Sequence, residues 1–215
     1  MKDTTAQFEH DLYLRYPQLS ACQPEIHKAY LILETCFRSG HKLLTCGNGG
    51  SAADSDHIVG ELMKGFLKRR PITGALRDNL ALMYGSGGSE IADGLQGALP
   101  AISLVQHAAL ITAFANDVAP DMIFAQQTAG YGRAGDVLIA ISTSGNSRNV
   151  VRAVQVASAI GMSTIGLTGA KGSKLSVLCD AAVCVPEQET FKVQELHLPV
   201  YHALCCMLEE EFFTD

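Results

Sequence analysis

The 215-residue chain predicts a three-layer α/β/α sandwich, a doubly wound domain on a five-stranded parallel sheet with further helices at its N- and C-terminal ends. Three observations carry this. Five apolar runs are short and continuous rather than alternating, which marks strands buried on both faces. Segments with helical spacing separate them, and polar turns rich in glycine and hydroxyl groups follow the first and third runs.

Taken in order, residues 1–40 are expected as an N-terminal helical extension. Its main helix spans 24–39: Pro24 suits the first turn, Ile26, Ala29, Tyr30, Leu33 and Phe37 recur at helical spacing, and Gly40 stops it. A strand near 42–46 leads through Gly47-Asn48-Gly49-Gly50-Ser51 into a helix over 51–67. Residues 72–99 are the least regular, with Gly85, Gly87, Gly88, Gly94 and Gly97 around a helix expected from Ser89 to Ala98. Strands near 101–105, 136–142, 163–168 and 181–185 then alternate with helices over 106–115, 120–130, 146–160 and 172–178. The final helix, 190–213, contains Pro199, which removes a backbone donor and predicts a bend. No composition shift or internal repeat divides the chain, so one domain is expected over 1–215.

Composition narrows the function. A net charge of −6, no Trp and scattered aromatic residues argue against nucleic-acid binding as the main activity. The one basic cluster, Lys64, Lys68, Arg69 and Arg70, reads as a solvated helix end whose cations complement the dipole. No apolar window is long enough to span a membrane, and the first residues lack the order of a signal peptide, so a cytoplasmic location is expected. Seven cysteines, an odd number without a Cys-x-x-Cys pair, suggest buried thiols rather than a disulfide framework.

Two turns carry the candidate chemistry. Asn48, Gly49, Gly50 and Ser51 end a strand and open a helix, exposing backbone N–H groups at the positive end of a dipole, which suits a phosphate. The plain alternative is a structural strand-to-helix turn. Ser142, Thr143 and Ser144, with Ser147 at the next helix start, offer four hydroxyls to a dianion without a lysine. Helix capping alone would need only one of them. Neither turn spells a nucleotide motif. His57 and Glu61 share a helix face about a turn beyond the first anion site. Asn116-Asp117 is either a turn signal or, if it reaches the pocket, an acceptor for sugar hydroxyls. In the last helix, Gln194 and His202 lie about 80° apart around the axis and about 12 Å apart along it. They are either satisfied interface residues or, with His57 and Glu61, a zinc-type donor set with an open position.

Together, Cys-Gly-Asn-Gly-Gly-Ser-Ala-Ala-Asp (46–54), Ala-Asn-Asp (115–117), Ile-Ser-Thr-Ser-Gly-Asn-Ser (141–147) and Gln-Glu-Leu-His (194–197) resemble the sugar isomerase (SIS) domain family. Within it, Glu61 and His202 resemble the pattern of the phosphoheptose isomerases, which act on sedoheptulose 7-phosphate. The resemblance implies a flavodoxin-like sheet and an aldose-ketose isomerase working through a cis-enediol, with sites at the subunit interfaces of a homotetramer. It further implies that Ser142, Thr143, Ser144 and Ser147 hold the phosphate, that Asn48, Gly49, Gly50, Asn116 and Asp117 line the sugar, and that His57, Glu61, Gln194 and His202 bind zinc. Glu61 and His202 are the expected acid/base pair. Two departures stand out: the 72–99 segment is longer than in typical members, and Lys192 replaces a common arginine. The alternatives are a noncatalytic SIS protein that binds a phosphosugar as a signal or docks on a replication initiator, and an isomerase of another sugar phosphate.

Overall fold

Strands β1 (Leu43–Gly47), β2 (Ala101–Ser103), β3 (Val137–Ile141), β4 (Ser163–Gly169) and β5 (Ala181–Val185) pair in parallel in the order β2-β1-β3-β4-β5 in the computed structural model, which describes residues 1–213. The last two residues of the expected 1–215 domain lie outside the described ones. All five positions of β1 and of β3 are buried, as their continuous apolar sequences require.

Alternate residues feed two cores. Leu43, Val137, Ile139, Ile141, Ile165 and Leu167 pack toward α2 (Gln23–Arg38), α3 (Gly50–Met63) and α9 (Thr190–Phe212). Leu44, Leu138 and Ala140 pack toward α6 (Ile123–Tyr131), α7 (Arg148–Ile160) and α8 (Lys174–Leu178). Helix α1 (Asp3–Arg15) lies on α9, so both ends of the chain thicken the first layer. Gly47 pairs with Ile141, which brings the turns after β1 and β3 level at one edge of the sheet. Between these strands the order reverses, and open α/β sheets bind ligands at that switch point.

Three expectations change in detail. The 72–99 segment is not irregular: α4 (Ala75–Gly94) fills most of it, kinked at Gly85 with φ 59° and ψ −132°. Its second arm corresponds to the helix expected at 89–98 but ends earlier. The glycines that looked like loop signals permit this shape, since a Cβ at Gly88 would collide with the Leu80 backbone. Helix α9 continues through Pro199 as one element. Much of α4 projects its apolar side chains outward, with Leu82, Met83 and Tyr84 exposed, and α5 (Ala108–Asp117) buries none of its residues. No helix among the described residues is long and apolar enough to cross a membrane. All seven cysteines are free, and burial pushes the Cys46 and Cys205 thiols far up.

The basic cluster does not form a solvated helix end, because α3 stops at Met63 and the chain then turns inward. Lys68 pairs with Glu210 at 2.9 Å. Arg70, at φ +49°, is wholly buried, and its Nε donates to Glu209 Oε1 at 2.7 Å. The same guanidinium donates to the carbonyls of Leu62 and Glu61, which end α3. Glu209 also accepts the backbone N–H groups of Phe66 and Leu67. Every hydrogen-bonding atom of this ion pair is therefore directed at α3, α9 or the turn between them.

Burial alone would raise the Glu209 carboxyl, but the Phe66 and Leu67 N–H groups and Arg70 outweigh it and hold it below the ordinary 4.5. Its stabilising contribution is thus complete above the unfolded-state value and is lost as pH falls through the lower folded value. Glu209→Gln, which strands a buried guanidinium, should cost about 3–5 kcal/mol in urea unfolding at neutral pH. The variant should also lack this carboxylate's share of the acid sensitivity, giving a shallower fall in stability below pH 4.5.

Candidate active site

The turns after β1 and β3 meet in a cleft of about 350 Å³ lined by Asn48, Gly49, Gly50, Ser51, Ser142, Thr143, Ser147 and Gln194, with Ile141 and Thr190. Gly49 adopts φ 56° and ψ −121°, a conformation open essentially to glycine alone, and this turns the chain into α3. A Cβ on Gly50 would run into the Gln194 side chain, its Cδ at 2.9 Å. Helices α3 and α9 therefore start in contact.

Ser147 stands at the N-cap of α7, yet its hydroxyl makes no capping bond. It meets Ser142 Oγ at 3.0 Å instead, and Ser142 Oγ lies 3.5 Å from Ser144 Oγ. The hydroxyls are thus gathered toward one another rather than spent on the helix end, at a dipole that favours an anion. Ser144 faces an adjoining recess with Lys171 and Glu187. Asn48 is fixed by paired amide bonds with Asn149 at 3.0 and 2.8 Å, a partner the sequence reading did not single out.

At the other end of the same helix pair stand the titratable groups. His57 Nε2 lies 3.1 Å from Glu61 Oε1 and 3.5 Å from His202 Nε2, and the His57 and His202 rings meet edge to face at 4.9 Å. Glu61 is nearly buried, and its second oxygen accepts from Lys64 Nζ at 3.1 Å. Burial first, then the neighbouring His57, pushes the His202 imidazole below its ordinary 6.5, with Glu61 opposing. This favours the neutral imidazole, a proton acceptor.

The fold brings together Glu61, His57 and His202 in one cluster, and Asn48 through Ser51, Ser142, Thr143, Ser147 and Gln194 in one cleft. Two expected members stand apart. Gln194 sits at the cleft end, against Gly50, and not in the hydrogen-bonded imidazole cluster. Asn116 and Asp117, hydrogen-bonded to each other at the exposed end of α5, do not line the cleft of their own chain. Tyr201 and Asp54, which contact His57 directly or through one bond, were missed. Asp54 could have been found from its three-residue spacing to His57 on α3, but nothing local marks Tyr201 among the apolar residues of its helix.

The SIS domain family model matches residues 91–207. A phosphoheptose isomerase of Rhodospirillum rubrum is 38% identical over 200 residues, covering 93% of this chain and 91% of that protein. The chain belongs to the phosphoheptose isomerase family of SIS-domain proteins. A second member, from Nitratiruptor sp., is 38% identical over 187 residues, 87% of this chain and 86% of its own length. The solved structure of the phosphoheptose isomerase from Neisseria gonorrhoeae superposes with a TM-score of 0.71 at 31% identity, covering 94% of this chain and 95% of that one. The family member from Francisella tularensis gives 0.75 at 29% identity, with 95% of each chain covered.

Because the Ser147 hydroxyl caps nothing, its removal tests anion binding apart from folding. Ser147→Ala should weaken binding of inorganic phosphate by roughly 10-fold or more in calorimetric titration, the loss of one hydrogen bond to a charged group. The thermal midpoint of the free protein should stay essentially unchanged.

Proposed function

We propose that this chain interconverts sedoheptulose 7-phosphate and D-glycero-D-manno-heptose 7-phosphate through a cis-enediol. The single observation that carries the reading is the shared alignment of α3 and α9: one end of the pair lines the hydroxyl cleft, and the other presents Glu61 and His202 across His57. Seven residues of helix, about 10 Å, separate Gly50 from His57, the reach of an extended seven-carbon sugar phosphate.

In this reading Ser142, Thr143, Ser144 and Ser147 hold the phosphate with the N-terminus of α7, while Asn48, Gly49, Gly50, Ser51 and Gln194 receive the adjoining sugar hydroxyls. Glu61 takes the proton from C1 of the ketose and returns it to C2 of the cis-enediol. His202 protonates the carbonyl oxygen at C2 and accepts the proton of the C1 hydroxyl, so the aldose leaves with both groups restored. A neutral His202 imidazole suits this exchange: its one ring N–H goes to the C2 oxygen, and the C1 hydroxyl proton then replaces it.

Among the described residues no group of three or more His, Cys, Asp or Glu side chains is arranged to hold a metal ion. The donor chemistry of the cluster, two imidazoles and a carboxylate, nevertheless suits zinc. His57, Glu61 and His202 would hold it, while Gln194, held at the cleft end against Gly50, stands apart from this donor set. Bound there, zinc would polarise the sugar oxygens as a Lewis acid. A lone pair given to the metal is unavailable for proton transfer, so Glu61 and His202 serve one role at a time.

The protein would act in the cytoplasm as a homotetramer with sites at its subunit interfaces. Supporting an assembly are the outward apolar residues of α4, led by Leu82, Met83 and Tyr84, and the wholly unburied α5. Asn116 and Asp117, at the end of α5, would reach a neighbouring subunit's sugar by that route.

The reading is tested with sedoheptulose 7-phosphate in deuterated water, following product and deuterium at C1 and C2. Glu61→Gln should lower turnover and exchange together by about 10²–10⁴-fold, the usual share of a general base. A folded variant that keeps most of its turnover removes Glu61 from this role.

A further inference from the structure

His57 is the hinge of the cluster, because its two ring nitrogens face different worlds. Nε2 points at Glu61 and His202. Nδ1 points away, to Tyr201 Oη at 3.0 Å, and that hydroxyl lies 3.2 Å from Asp54 Oδ1. Tyr201 is 2% exposed and wedged between both imidazoles, its ring edge-to-face with His57 at 5.5 Å and with His202 at 5.0 Å. The second oxygen of Asp54 is buried without a hydrogen-bond partner, so the tyrosine hydroxyl is the side-chain donor this carboxylate has.

With His57 neutral and Asp54 ionised, a phenol that has one proton to give allows only two arrangements of the chain. If Tyr201 donates to Nδ1, His57 carries its proton on Nε2, toward Glu61. Asp54 is then left with no donor at either oxygen, an uncompensated carboxylate beside the protein interior. If Tyr201 instead donates to Asp54, its oxygen must receive the Nδ1 proton, and the Nε2 lone pair faces the pocket. The second arrangement satisfies Asp54, Tyr201 and Nδ1 together. Its cost is a lone pair set 3.1 Å from the Glu61 carboxylate, which a proton or other cation between them relieves.

We propose that Asp54 and Tyr201 are positioning residues that hold neutral His57 as its Nδ1–H tautomer, keeping the Nε2 lone pair turned toward Glu61 and His202. The helices supply the geometry directly. Asp54, His57 and Glu61 recur three and four residues apart on one face of α3, and Tyr201 and His202 are consecutive on α9, so they straddle the His57 ring. Its catalytic consequence rests on the isomerase reading above, but the tautomer does not.

Nitrogen-15 correlation spectra of the ligand-free protein, labelled at its histidines and recorded where His57 is neutral, read the tautomer without substrate or metal. The His57 signal is the one lost in His57→Gln. In the wild type the proton is expected on Nδ1. Asp54→Ala should free the tyrosine hydroxyl to donate to Nδ1 and move the His57 proton to Nε2, with the Tyr201 ring still in place. Asp54→Asn, whose amide oxygen still accepts from Tyr201, should restore the Nδ1–H form, and Tyr201→Phe should lose it. In turnover, Asp54→Ala should lower kcat about 10-fold or more with little change in KM, since the phosphate cleft is untouched. A wild-type His57 protonated on Nε2, or a tautomer unmoved by both Asp54→Ala and Tyr201→Phe, overturns the proposal. If the tautomer behaves as described and no ketose phosphate turns over, the isomerase reading fails and the positioning role stands.

Discussion

The buried pair between Arg70 and Glu209 is the constraint on which the site depends. Helix α3 ends in carbonyls that need donors, α9 passes beside it, and the turn from 64 to 70 must cross between them. One guanidinium and one carboxylate meet all three needs, with five hydrogen bonds to Leu62, Glu61, Phe66, Leu67 and each other. A buried ion pair is seldom a large net source of stability, because desolvation offsets its attraction. Its effect here is on geometry: it locks the end of α3 that carries Glu61 against the length of α9 that carries His202. The opposite ends are set by Gly50, where any Cβ would collide with the Gln194 side chain.

Two helices fixed at both ends define a path with different chemistry at each terminus. At the sheet edge the cleft is lined by hydroxyls and backbone donors, without a lysine. Such a cradle recognises a phosphate by shape and hydrogen bonding and leaves the net charge of the chain free to be negative. At the far end, imidazoles and a carboxylate sit in partial burial, where proton transfer is less screened by solvent. The same fold supports many chemistries, so the function follows from these side chains and not from the sheet.

Much of this was legible in the sequence. The five strands declared themselves by continuous apolar runs, and the glycine and hydroxyl turns lay at the carboxyl ends of β1 and β3 because strand ends at a switch point must turn sharply. The spacing of His57 and Glu61 gave a shared helix face, and the meeting with His202 followed once α9 returned to α3. What escaped was long-range. Nothing local distinguishes Arg70 from a solvated cation; its burial is decided by Glu209, 139 residues away. Tyr201 stands among apolar residues with no local signal of its role, and only the third dimension reveals its hydroxyl between Asp54 and His57. The glycines of 72–99 read as a loop because kinks and close backbone approaches use the same residue as turns do.

The central claim is that the paired helices present two ends of one site to two ends of one substrate, and a crystal structure with sedoheptulose 7-phosphate bound tests it most directly. The account predicts the phosphate on the 142–147 hydroxyls and the N-terminus of α7, with C1 and C2 against Glu61 and His202. A phosphate held elsewhere, or a sugar whose carbonyl end points away from both side chains in every subunit, contradicts it.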